Sequence, residues 1–323
     1  MQPPRYALAA YDPDASPCDE IWALCADAEH LFADQPPGVA GALEGRDGAP
    51  EELAEPPVRL LGCSPRGALR EALAAGKGDL GHGTVLRLGR QGQTLQYAVE
   101  GEVVAWIPSA RGRGLVDLAL DPWTVRPPRA AGEVWDVWWR GRPTEPNLWA
   151  RHGTEGRTHW LAVAQEASRR HGPNSRPRLG PNHRPQPGPN PEPDPGPNPE
   201  PDPGPNPEPD PGPNPEPNLE PAPEQPATMR HLDGRHITDE PAFYCALGEA
   251  MNGPGGYFGR NVDTLSRCLS EAPGARPPFT LVWHDARTAR TCLGVTPRTD
   301  RRPPSFEELV DFLVLMDVEV VLD

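Results

Sequence analysis

Lysine is nearly absent from this chain. Lys77 is the single one, so almost all of the positive charge is arginine. Isoleucine is also scarce, while Ala, Arg, Gly and Pro are abundant, a bias that reflects GC-rich coding and carries no functional information. The formal net charge is −15. An acidic excess argues against a nucleic-acid surface, because neutralising phosphates takes a clustered cationic patch. It suits a basic protein partner, since opposite potentials steer encounter.

Other absences narrow the field further. The six cysteines (18, 25, 63, 245, 268 and 292) include no CxxC pair, which points to isolated buried thiols in a reducing compartment. The opening stretch MQPPRYALAAYDPD has no basic segment followed by an apolar core, so no signal peptide is expected. No apolar run approaches the ~18–20 residues that span a bilayer. The expected location is the cytoplasm, with no membrane contact. There is no glycine-rich phosphate loop, no Gly-x-Ser-x-Gly elbow and no HExxH pair, so no cofactor or metal is expected.

What the chain does have is proline. Residues 173–227 hold 23 of the 47 prolines, and residues 187–218 are four copies of PGPNPEPD, the last ending in Asn218. Proline fixes φ and removes amide donors, so this segment is expected to be a disordered, polyproline-II-like linker. At ~3.1 Å per residue the repeats could reach roughly 100 Å. Much of the acidity lies in this segment. The flanks then read as two domains, 1–172 and 228–323, each long enough to bury a core.

The first domain is expected to be α+β. Strand-like runs occur at 5–10, 58–62, 84–88, 94–99, 102–107, 114–120 and 133–139, with turns at GRQGQ and EGE. Helical patterns cover 64–75, with Ser64 as cap and Pro65 at the first position, and 157–171. Eight of the nine tryptophans lie here. Alternation along 133–139 places Trp135 and Trp139 on one face and Trp138 on the other, a core and its rim rather than a ligand platform. His152, Glu155 and His159 fall in RHGTEGRTHW, whose glycines predict a solvated loop.

The second domain reads β-α-α-β-x-α-β. The strands are 229–232, 277–285 and 318–323. Helices cover 239–251, a stretch from Asn261 onward, and 305–316, the last opened by a Ser305–Glu308 capping box. Phe243, Leu247 and Ala250 form the inner stripe of the first helix. That order predicts an α/β fold with a small parallel three-stranded sheet and packed helices.

The motif YFGRNVDTLSRCL at 257–269, with LDGRHI at the first turn, PFTLVW ending at Trp283 and the final strand, resembles the barstar family of intracellular inhibitors of barnase-type ribonucleases. The resemblance covers residues 229–323. It implies a non-enzymatic domain whose loop and following helix plug the cationic active site of a small, basic ribonuclease or related toxin, as an immunity protein or antitoxin does. The residues it carries over are Tyr257 as an aromatic anchor, Gly259 for close backbone approach, Asn261, Asp263 against an arginine of the partner, and Ser270 where the family has threonine. Asn261 reads equally as a helix cap. Phe258, Val262, Leu265 and Leu269 read as core, and Cys268 as a packed thiol.

Two positions depart from the family. Arg267 replaces its dominant acidic contact and Ser266 its neighbouring tryptophan. An acid on the last helix has Val310, Asp311 and Phe312 as competing matches. Asp263 and Arg267 stand four apart and can pair for about 0.2–0.5 kcal/mol. The alternative to an inhibitor is a barstar-like interaction module for a non-ribonuclease partner. A third reading makes the first domain an enzyme and the second its regulator.

Overall fold

A computed structural model of the chain describes residues 3–11, 20–33, 55–171, 228–271, 276–295 and 302–323. The repeat segment, and with it the expected linker, lies outside the described residues.

The N-terminal part is a six-stranded antiparallel barrel with helices. Strands β1 (Tyr6–Ala10), β2 (Ile21–Cys25), β3 (Asp27–Glu29), β4 (Val58–Pro65), β5 (His82–Leu88), β6 (Thr94–Pro108) and β7 (Val116–Pro122) run in the order β2-β1-β5-β6-β7-β4-β3. Pairing of β2 with β4 closes β2-β1-β5-β6-β7-β4 into a ring of six, and the short β3 pairs with β4 beside it. Helix α1 (Gly67–Ala74) follows β4; α2 (Arg129–Trp138), a 3-10 turn (Leu148–Arg151) and α3 (Thr154–His171) follow β7.

Several local expectations give way here. The EGE turn does not form, because 94–108 is one strand. Gly101 lies where β6 passes close to β7, and a Cβ there would sit 2.3 Å from the Asp121 carbonyl oxygen. Residues 133–139 are helical instead of extended. The 3.6-residue period sets Trp135 and Trp138 on the same buried face, which the strand reading had split. Trp135 Nε1 donates to Gln96 Oε1 at 2.8 Å, and Trp138 packs edge-on to Trp160 with ring centres 5.5 Å apart. The RHGTEGRTHW stretch is no loop either, since α3 begins at Thr154 and runs through Glu155 and Gly156. Ser64 and Pro65 finish β4, and Arg66 occupies the cap position of α1 without a side-chain hydrogen bond.

The C-terminal part follows its predicted order closely. Strands β8 (Thr228–Asp233), β9 (Phe279–His284) and β10 (Val318–Leu322) form a parallel sheet in the order β10-β9-β8. Helices α4 (Glu240–Asn252), α5 (Val262–Glu271), α6 (Ala286–Cys292) and α7 (Phe306–Leu315) connect them. Asp239 caps α4 by accepting from the Ala242 amide at 2.8 Å, and the Ser305–Glu308 capping box opens α7. Trp283 and Phe243 stack at the centre of this core.

Helix α4 is buried well beyond the Phe243–Leu247 stripe. Residues 241–248 and Met251 are all inside. A helix apolar on every side has to be covered on every side. Its own sheet takes one flank and α3 of the barrel takes another, so both folded parts belong to one compact unit.

Charged groups seal that contact. Arg157 Nη1 on α3 lies 2.9 Å from Asp239 Oδ2, both side chains are buried, and the same guanidinium donates to Thr238 Oγ1 at 2.7 Å and to the Ala150 carbonyl at 3.1 Å. Thr154 Oγ1 adds a 2.6 Å bond to Asp239 Oδ2.

Candidate functional site

The loop between α4 and α5 is braced by the barrel. Arg142 Nε donates to the Pro254 carbonyl at 2.8 Å, and Nη2 donates to Gly253 at 3.1 Å and also to Asn252. These acceptors lie at and just past the end of α4, where helix carbonyls lack partners of their own, so a guanidinium suits both the hydrogen bonds and the helix dipole. Gly255 is pressed against the same wall, and a Cβ on it would fall 2.8 Å from Pro143 Cδ and 3.1 Å from Trp138 Cη2. Glu249 ties the end of α4 in from the other side. It accepts from the Asn147 amide at 2.8 Å and the Gly255 amide at 3.3 Å, and burial pushes its carboxyl above the usual range.

Tyr257 follows directly. It is half-buried against the core, and its hydroxyl is sealed from solvent. Burial raises that hydroxyl's pKa. With Gly255 and Gly256 it lines a cleft of about 720 Å³, whose other wall is Gln93, Trp138 and Arg142 of the barrel. Gly259 is buried with φ +102°, and a Cβ there would meet the Leu265 amide nitrogen at 2.9 Å. The fold itself therefore requires glycine at this position, whatever binds outside.

Asn261 is the helix cap. Its Oδ1 accepts from the Thr264 amide at 2.9 Å and from the Thr264 hydroxyl at 2.7 Å, while Thr264 Oγ1 accepts from the Arg260 amide at 2.9 Å. The reciprocal bonding fixes the first turn of α5, and Leu265 and Leu269 hold its inner face in the core. Arg260, Asp263, Arg267 and Ser270 are exposed. Ser270 Oγ donates back to the Ser266 carbonyl at 2.9 Å. Asp263 and Arg267 make no ion pair with each other among the described residues. A few tenths of a kcal/mol does not hold two solvated side chains together.

Asp263 opens onto a second groove, of about 290 Å³, lined by Glu240, Asn261, Val262, Arg302, Pro303, Pro304 and Glu308. Three carboxylates face one described arginine there, and Arg302 is paired with Glu308. The structure thus brings Asn261 and Asp263 together, sets Tyr257 in the other cleft, and runs Arg267 and Ser270 along the outer face of α5. Glu240 and Glu308 do not stand out in the sequence as site residues, because acids in the first turns of α4 and α7 are already expected from the helix dipole and the capping box. Of Val310, Asp311 and Phe312, only Asp311 is exposed.

The geometry up to this point is a capped, exposed helix beside an acidic groove, on a three-stranded parallel sheet. The segment from β8 into α7, residues 227–313, matches the family model described as Barstar (barnase inhibitor). Residues 227–313 are a Barstar domain. No curated protein and no solved structure matches the chain. The Barstar domain supplies the α4–α5 loop and α5, and the barrel supplies the brace behind them.

The remaining sequence candidates separate. His152 is buried with Nδ1 3.7 Å from Glu133 Oε2, whereas His159 Nδ1 lies 3.3 Å from Gln96 Nε2; burial lowers the pKa of both. Among the described residues no group of three or more metal-ligating side chains converges, and no helix is long and apolar enough to cross a membrane.

Proposed function

We propose that the chain is an intracellular, immunity-type inhibitor of a small basic ribonuclease, docking through α5 and the groove beside it. The observation that carries this reading is the cluster of Asp263, Glu240 and Glu308 along one groove of a Barstar domain. A ribonuclease active site is cationic because it binds phosphate, so carboxylates fixed on capped helices can take the place of the substrate's charge. Rigid elements also limit the entropy lost on binding. The test is titration of the full chain against a panel of small microbial ribonucleases. Inhibition of at least one, weakened about tenfold or more by Asp263→Arg, is expected. Activity unchanged across the panel at micromolar chain would end the proposal.

Arg267 tunes the choice of enzyme. Like charges across an interface are costly, so an arginine on this face discriminates against a phosphate pocket rich in Arg and Lys. Arg267→Asp is expected to tighten binding to a barnase-type ribonuclease about tenfold or more, read as a lower inhibition constant. No gain would mean that position 267 lies outside the contact.

One observation favours a second reading, in which the same face holds an acidic, non-ribonuclease partner. Arg260 and Arg267 are both exposed on it, and neither forms an ion pair among the described residues.

A further inference from the structure

The open face of the three-stranded sheet carries an arrangement that the inhibitor reading does not use. His231 on β8 and His284 at the end of β9 point at one another, with Nδ1 of the first 3.0 Å from Nε2 of the second. The rings are parallel to within 7°, with centres 5.2 Å apart, and meet nitrogen to nitrogen. The far nitrogen of His284, Nδ1, lies 2.8 Å from Asp323 Oδ2, just past β10. In the sheet register His284 also stands beside Asp233, whose carboxylate is engaged by Arg235 and Asn147.

We propose that His231 and His284 form a two-imidazole site for a zinc-class divalent transition-metal ion, with Asp323 as its supporting carboxylate. The tautomer follows from the hydrogen bonds. With His284 Nδ1–H donating to Asp323, Nε2 is left as a lone pair aimed at His231 Nδ1. Two facing ring nitrogens can be satisfied by one shared proton or by one shared cation. Imidazole is a favoured ligand of Zn²⁺, Ni²⁺ and Cu²⁺, and a carboxylate on the second ring nitrogen fixes the ligand's orientation and raises its basicity.

The dimensions agree. With metal–nitrogen bonds of about 2.0–2.1 Å and tetrahedral angles, two nitrogens sharing an ion stand about 3.3–3.4 Å apart. The rings now meet almost head-on, so binding requires them to part by a few tenths of an ångström and to turn toward a common point, and the exposed His231 has the room to do so. Water completes the coordination, which solvent access on this face permits.

The experiment uses the full chain and Zn²⁺ alone, by isothermal titration with a competing chelator. His231→Gln, His284→Gln and Asp323→Asn serve as variants, with melting curves to confirm that each is folded. One saturable ion per chain is expected, weakened at least about tenfold by either histidine change and about tenfold by Asp323→Asn. No saturable binding overturns the proposal. So does binding that survives both histidine changes, since the ion would then sit on the chain's other histidines or cysteines. The outcome is independent of any ribonuclease.

Discussion

Arg157→Met should destabilise the chain by about 3–5 kcal/mol, the usual penalty for removing one member of a buried ion pair. The size comes from what is left behind. Asp239 Oδ2 would keep only Thr154, and its charge would remain buried where α3 meets the start of α4. Asp239 also caps α4, so it cannot turn away to water without releasing the helix. Urea unfolding followed by tryptophan fluorescence reads the loss as a lower midpoint. Adding Asp239→Asn should recover part of it, because asparagine caps a helix as well as aspartate does and carries no charge. A loss below about 1 kcal/mol would show that the barrel and the Barstar domain do not depend on this contact.

Trp138→Ala carries the second large effect, about 3–5 kcal/mol, as expected for emptying a buried aromatic site. The side chain is 1% exposed and lies between Trp160 and the α4–α5 loop. Its consequence for the site is local. With the indole gone, Gly255 loses the surface that it rests on, and the Gly255 and Gly256 amides should exchange hydrogen faster than the global loss explains. Trp135→Ala is the control. It is equally buried but packs against Phe32 and Gln96, so loop exchange should change only in step with overall stability. Equal loop exchange in the two variants would dismiss the brace.

How much of this was legible in the sequence depends on where the deciding contacts lie. The Barstar domain announces itself through local chemistry. Caps at Asn261 and Ser305, and short apolar strands, fix its elements from within and were readable, whereas the sequence left Thr238 and Asp239 both open as the cap of α4. In the barrel the deciding contacts are distant. The stretch EVWDVWW alternates well enough for a strand, but Trp135 and Trp138 are needed together on one side, under α3 and over the barrel. Gly101 looks like a turn because its reason, the Asp121 carbonyl on the neighbouring strand, is far away in sequence. The burial of α4 was underestimated for the same cause, since the helix that covers it belongs to the other part of the chain. At the site, the outward face of α5 could be read from its period. The brace at Arg142 and the grouping of Asp263 with Glu240 and Glu308 could not, because each joins residues from separate elements.

The shared core of α3 and α4 has a consequence for the octad repeats. Residue 171 ends α3 and residue 228 begins β8, and both belong to the same compact unit. The placement of the barrel and the Barstar domain is therefore held by their own packing, α3 against α4 and Arg157 against Asp239. Loop-closure entropy grows only with the logarithm of length, so for a connection of this many residues one octad more or less is expected to change it by about 0.1–0.2 kcal/mol. A change in repeat number is thus expected to leave the contact between α3 and α4 as it is.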